Sequence, residues 1–192
     1  MAFVLDQTKP NQKYFEAICG IPHPSTEEKA VSDYVCSVAE KLGLNYEQDK
    51  FWNVIVRKPA SKGYEDAPVV MLEGHMDMVC VKTPESTHDF SHDPIEIYVD
   101  DKGDIRAKDT TLGADDGYGV AYMLAVMEED FPHPPLELVF TVQEESDTAD
   151  VIRQIAASAA EIIFFIRYPG IKVMRITGGT LFDKGESPGA PM

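Results

Sequence analysis

The chain has 192 residues, of which 44% are hydrophobic and 26% are charged, and this composition is typical of a folded globular protein. The length suits one sizeable domain, since a second domain would have to be small. The net charge of −16 argues against a nucleic-acid partner, because binding a phosphate backbone requires clustered Lys and Arg.

Cysteine usage and the first residues favour a cytoplasmic protein. Three widely spaced cysteines without a Cys-x-x-Cys pair fit reduced thiols better than a disulfide framework. The opening MAFVLDQTKP lacks the basic and apolar regions of a signal peptide. Apolar stretches elsewhere fall short of the ~20 residues that a membrane span needs. We therefore expect a cytoplasmic protein with no membrane or nucleic-acid partner.

Periodic apolar residues and turn residues predict the elements in chain order. Residues 25–43 are predicted to form an amphipathic helix, opened by a capping box from Ser25 to Glu28 and closed by Gly43. The segment PIEIYVDDKGDIRAK predicts a hairpin with an Asp-Lys-Gly turn. Other apolar runs predict strands at 53–59, 68–75, 134–142 and 170–177, and helices at 120–130 and 147–167.

Strands that alternate with helices indicate an α/β fold, with a mostly parallel or mixed central sheet and helices on both faces. In such sheets a functional site lies beyond the carboxyl ends of the strands. His75, Asp115 and Glu145 fall where strands, or the loops after them, end. The Gly- and Pro-rich residues 178–192 predict an irregular tail.

The first pair of candidate site residues is His75 and Asp77. Residues i and i+2 of an extended chain point to the same side, so the carboxylate of Asp77 can fix the tautomer and orientation of the imidazole. A metal-bound histidine requires that kind of support. A single His-x-Asp is also common on surfaces and in cores without any function.

The other two pairs are acidic. Asp115 and Asp116 lie between glycines just before a helix, where one carboxylate can bridge two metal ions. Capping of that helix is the alternative. Glu144 and Glu145 follow a buried strand, so one can ligate a metal while the other takes a proton from water. Adjacent glutamates are otherwise commonplace on surfaces.

Together, EGHMDMVCVK, HDFSHDPI, TTLGADDGYGVA and HPPLELVFTVQEE resemble the aminoacyl-histidine (Xaa-His) dipeptidases, the PepD-type members of the M20 metallopeptidases. FEAICGIPHPSTEEKAVSDYV is similar to the N-terminal helical segment of that family. The resemblance covers residues 10–145. It implies a zinc-peptidase-like catalytic domain and a hydrolase that cleaves small dipeptides with two Zn2+ ions, with Co2+ or Mn2+ as other candidates.

The resemblance also implies a role for each candidate residue. The metal ligands would be His75, Asp115 and Glu145. The carboxylate of Asp115 would bridge both ions, and a cis peptide bond would join Asp115 to Asp116. The catalytic residues would be Glu144, as general base, and Asp77, which orients the imidazole.

After Glu145 the sequence departs from the family pattern. The family continues with a further Asp ligand and a lid domain, and a C-terminal histidine completes its second metal site. None of the five histidines lies beyond His133, so neither that histidine nor the lid histidine has a counterpart. We assign residues 1–177 to a catalytic domain without the lid, whose junction is near 146–150.

The favoured function is a metal-dependent Xaa-His dipeptidase. One alternative is a truncated homologue, catalytically weak or inactive, that persists as a folded remnant or binding module. Another is an acidic protein that binds metal without catalysis. The apolar stretch IAASAAEIIFFI predicts self-association as well.

Overall fold

A computed structural model describes residues 3–145. The helices of this part are α1 (Pro10–Cys19), α2 (Lys29–Lys41) and α3 (Ala114–Glu128). Its strands are β1 (Asn45–Gln48), β2 (Val54–Lys58), β3 (Val70–His75), β4 (Ile97–Val99), β5 (Ile105–Ala107) and β6 (Leu136–Thr141). The predicted elements from residue 147 onward, the irregular tail, the domain boundary and the segment expected to self-associate lie outside the described residues.

The main sheet of the described residues is mixed, in the order β1-β2-β6-β3. Strands β1 and β2, and likewise β2 and β6, pair antiparallel, whereas β3 and β6 pair parallel. Strands β4 and β5 form the predicted hairpin, with Gly103 at φ 86° in its turn. The predicted α/β class with a mixed sheet is therefore confirmed. Within residues 3–145 antiparallel pairings outnumber the parallel one.

The core lies between one face of this sheet and the three helices. Val54, Val56, Leu138 and Phe140 are buried on that face in one cluster with residues of α1, α2 and α3. The opposite face carries a separate small cluster of Ile55, Met71 and Val139, as the alternation of strand residues requires. The helices of the described part thus share one face, and the predicted helices on the second face are not among these residues.

Helix α2 follows the predicted amphipathic pattern but not the predicted cap. It buries Val31, Val35 and Val38, and Gly43 beyond its end has φ 69°, as a C-terminal stop requires. Its N-terminus has no side-chain cap, so the predicted capping box is wrong. Helix α1 and strand β1 were not predicted from periodicity; the four residues of β1 are mostly exposed and carry no apolar alternation.

Helix α3 approaches β3 closely because Gly74 has no side chain. A Cβ atom at Gly74 would lie 2.6 Å from Oδ2 of Asp116 and 3.2 Å from Sδ of Met123. The absence of that atom lets the first turn of α3 rest against the end of β3, beside His75. Among the described residues, no helix combines the length and apolar character needed to cross a bilayer.

We expect the substitution Gly74→Ala to lower the free energy of unfolding by about 1–3 kcal/mol, because the added methyl group overlaps buried atoms of α3. Urea denaturation monitored by circular dichroism measures the change. Gly117→Ala is the matched control, since its Cβ would meet its nearest neighbour at 3.6 Å and alanine is the better helix former. A Gly74→Ala protein as stable as its parent would contradict the close approach.

Candidate metal centre

The candidate site forms where β3 and β6 end, beside the N-terminus of α3. Because these strands are parallel, His75 at the end of β3 lies opposite Thr141 at the end of β6. Asp77 follows β3 by two residues, while Glu144 and Glu145 lie just beyond β6. The parallel pairing therefore brings distant parts of the chain to one edge of the sheet.

The imidazole of His75 is buried and oriented by Asp77. Its Nδ1 atom lies 3.1 Å from the main-chain oxygen of Asp77 and 3.4 Å from Oδ1 of the same residue. Its Nε2 atom lies 3.4 Å from Oδ1 of Asp115 and 4.0 Å from Oε2 of Glu144. One ring nitrogen is thus held by the protein, and the other faces carboxylate oxygens, as metal ligation by Nε2 requires.

The opposite charges of His75 and Asp77 raise the pKa of the imidazole and lower the pKa of the carboxyl group. Burial lowers the pKa of His75, but the hydrogen bond and charge of Asp77, together with Asp116 and Glu144, outweigh burial and raise it to about 9. Burial raises the pKa of Asp77, but hydrogen bonds from His75, Ser25 and two main-chain amides outweigh it and lower the value to about 2. The carboxylate of Asp77 is therefore ionised although its side chain is almost inaccessible to solvent.

Asp115 and Asp116 point into different surroundings. The peptide bond between them is cis, as the resemblance implied, and both have non-helical backbone angles at the start of α3. The side chain of Asp115 is 86% exposed and reaches His75, whereas Asp116 is buried against β3. Burial, and then the charges of Glu73 and Asp115, raise the pKa of Asp116 to about 7 against the opposing effect of His75. Gly113, the residue before the helix, has no side-chain cap, whereas the carboxylate of Asp116 accepts a hydrogen bond from the main-chain N–H of Gly119 in the first turn.

Three side chains could hold a cation together. One ligand atom each of His75, Glu144 and Glu145 lies within 4.8 Å of the others. Imidazole nitrogen and carboxylate oxygen are ligands that Zn2+ accepts at about 2 Å, so small side-chain rotations bring all three into reach of one ion. Asp115 approaches the same imidazole from the start of α3. Side-chain oxygens of Asp77, Asp115 and Glu144 thus lie within 4.0 Å of the imidazole of His75. The group of three contains Glu144, which was predicted as the base, and does not contain Asp115, which was predicted as a metal ligand.

Two residues of the site were not predicted, Ser25 and Glu28. The Ser25 hydroxyl donates to Oδ2 of Asp77 at 2.7 Å, and the fully buried Glu28 accepts from the main-chain N–H of Gln143 at 3.0 Å. The sequence signal was the Ser-x-x-Glu pattern, which we interpreted as a helix cap. Both side chains are instead directed toward the candidate site.

Comparisons with known proteins identify relatives of this chain. The cytosol non-specific dipeptidase of Escherichia coli (strain K12) is 41% identical over 145 residues, which are 74% of this chain and 30% of that protein. The aminoacylhistidine dipeptidase of Vibrio alginolyticus matches with a TM-score of 0.69 and 41% identity, over 72% of this chain and 28% of that chain.

A more distant solved structure has the same architecture. A tripeptidase from Staphylococcus aureus matches with a TM-score of 0.59 and 25% identity, over 75% of this chain and 38% of that chain. No family model matches the chain. The chain spans less than a third of the length of the two dipeptidases.

We expect Asp77→Asn to lower the free energy of unfolding by about 2–4 kcal/mol at neutral pH, because one amide oxygen cannot replace two carboxylate oxygens that accept from Ser25, Glu144 and Glu145. The folded-state pKa of about 2 lies below the ordinary 3.8, so this stabilisation is present above 3.8 and is lost as the pH falls toward 2. The variant should therefore lack this acid-dependent loss of stability.

Urea denaturation of both proteins across the acidic range measures this difference. Asp49→Asn is the matched control, because Asp49 also accepts from main-chain amides but lies in the turn between β1 and β2. Parallel pH profiles for Asp77→Asn and its parent would show that the Asp77 carboxylate does not stabilise the turn after β6.

Proposed function

Because the chain belongs to the family of the aminoacyl-histidine and cytosol non-specific dipeptidases, we propose that it is a metal-dependent dipeptidase that hydrolyses Xaa-His-type dipeptides at a dinuclear zinc site of the M20 type. The observation that carries the proposal is the convergence of His75, Asp115, Glu144 and Glu145 at one edge of the sheet. The 41% identity over 145 residues supports it.

The donor atoms present fit zinc. His75 and Asp115 would hold one ion, and Asp115 and Glu145 would hold the second. Zinc bound there would act as a Lewis acid toward the peptide carbonyl and toward water. Cobalt and manganese suit the same mixture of nitrogen and oxygen donors.

Glu144 and Asp77 have supporting roles in the proposed reaction. Glu144 takes a proton from the attacking water and passes it to the leaving amine, which its partly exposed position beside Nε2 of His75 permits. Asp77 keeps the imidazole in the tautomer that presents Nε2 to the cleft.

A second candidate function is a catalytically weak or inactive homologue, a folded remnant or binding module with incomplete metal sites. The set of candidate ligands among the described residues favours it. Within residues 3–145 each proposed ion has two protein ligands, whereas catalytic zinc ordinarily has three together with water. In that case the side chains bind metal weakly and turnover is slow or absent.

The deciding experiment measures metal content and dipeptide hydrolysis on one sample purified without chelator. If the dipeptidase proposal is right, the protein contains bound zinc and cleaves an unblocked dipeptide with a C-terminal histidine, and a chelator abolishes cleavage. Stoichiometric metal without turnover would favour a metal-binding protein, and the absence of both would favour the folded remnant.

Glu144→Gln and Glu145→Gln distinguish the base from the ligand. We expect Glu144→Gln to retain zinc and to lower kcat by about 10²–10⁴-fold, because it cannot accept a proton. Glu145→Gln should instead release zinc, measured by competition with a chromophoric chelator. The exposed Glu85→Gln is the control for loss of an acidic charge elsewhere. Loss of zinc in Glu144→Gln would reassign Glu144 as a ligand.

A further inference from the structure

Three consecutive main-chain amides after β6 donate to buried carboxylates from distant parts of the chain. The N–H of Gln143 donates to Oε1 of Glu28 at 3.0 Å. The N–H groups of Glu144 and Glu145 donate to Oδ1 and Oδ2 of Asp77, each at 3.1 Å. The segment that carries both site glutamates is thus held through its backbone, by two side chains that are themselves buried.

This segment needs external support because it has left the sheet. Strand β6 ends at Thr141, and Gln143 has φ 60°, in the left-handed region that non-glycine residues seldom adopt. Glu28 accepts the amide hydrogen of Gln143 at the residue where the chain direction changes. The direction in which Glu144 and Glu145 leave the backbone therefore depends on this contact.

Glu28 lies where it can fix the main chain at Gln143. Its side chain is fully buried, and the same Oε1 atom also accepts from the N–H of Thr26 at 2.9 Å. The other oxygen, Oε2, is buried and has no hydrogen-bond partner among the described residues. A single oxygen atom therefore ties the loop before α2 to the turn after β6. Burial raises the pKa of this carboxyl group, so keeping it ionised in this position costs free energy.

We propose that Glu28 is a positioning residue of the metal centre, which sets the placement of Glu144 and Glu145 relative to His75 by holding the amide of Gln143. The inference rests on the proposed function in that it takes these three side chains as the ones that bind metal. Glu28 itself does not contact the ion. It acts through the turn, much as partners of metal ligands act in other sites.

The geometry makes the metal centre sensitive to this turn. Ligand atoms on β3 and on the turn must lie within about 4 Å of one another to share an ion at bond lengths near 2 Å. They lie within 4.8 Å of one another here, so a small closing movement is enough to bring them to that distance. A turn free to move by an ångström would hold that geometry for only part of the time, so the affinity for the ion falls.

Three variants of the full chain test the proposal. Glu28→Ala removes the acceptor, whereas Glu28→Gln keeps an oxygen at the same reach and is expected to rescue. Ser32→Ala is the matched control, because Ser32 lies in the first turn of α2, which begins directly after Glu28, and its buried hydroxyl bonds to the main-chain oxygen of Trp52 and the side chain of Gln48 rather than to the turn after β6. Circular dichroism and the thermal midpoint of each variant establish that it folds.

Two readouts separate positioning from general stability. Zinc affinity, from competition with a chromophoric chelator, should fall about 10–100-fold in Glu28→Ala, and the visible spectrum of the Co2+-substituted protein should change with it. Amide hydrogen exchange, measured by mass spectrometry without metal, should accelerate at residues 143–145. The zinc affinity and the exchange rate should match those of the parent protein in Glu28→Gln and in Ser32→Ala.

Unchanged exchange at residues 143–145 in Glu28→Ala would overturn the proposal. Equal effects from Ser32→Ala would also overturn it, since they would indicate a loss of general stability. Faster exchange with unchanged zinc affinity in Glu28→Ala would also overturn it, because Glu28 would then hold the turn without positioning the metal ligands. If the unsubstituted chain binds no zinc, the proposed function fails, and the exchange measurement alone decides whether Glu28 holds the turn.

Discussion

The site depends on a buried charge that the fold surrounds with donors. Asp77 is 1% exposed, and an ionised carboxylate in such a position is costly unless hydrogen bonds replace the lost water. The Ser25 hydroxyl and the amides of Glu144 and Glu145 supply those bonds, and the imidazole of His75 lies against the same carboxylate. One side chain thus joins the end of β3, the loop before α2 and the turn after β6. Removing it would release all three at once.

The charges around this carboxylate favour binding of a cation. Asp115, Asp116 and Glu144 lie near one imidazole, and burial, followed by the charges of Glu73 and Asp115, raises the pKa of Asp116 to about 7. The ionised form of a carboxyl group whose pKa is raised by neighbouring negative charge is stabilised when a positive ion binds beside it. The raised pKa of His75 has the same origin, since a proton on the imidazole also compensates that negative charge. A divalent ion would compete with this proton for Nε2.

Local sequence patterns predicted the parts of this arrangement that depend on neighbours in the chain. The strand ending at His75, the glycine-flanked aspartates and the glutamates after β6 were all identified from short motifs. The role of Glu28 was not, because a Ser-x-x-Glu pattern is compatible with a helix cap and only tertiary contacts direct it to Gln143. The strand directions of the mixed sheet likewise depend on long-range pairing, on which periodicity carries no information.

The buried and the exposed side chains of the candidate metal centre contribute to different properties. His75, Asp77 and Glu28 are buried and fixed by contacts within residues 3–145, whereas Asp115, Glu144 and Glu145 are exposed. Metal affinity depends mainly on how well ligands are held before the ion arrives, and the buried half provides this. Turnover also requires a substrate held against the ions and a cleft from which bulk water is excluded. Under the proposed function, binding of metal and hydrolysis of a dipeptide would therefore place different demands on the chain.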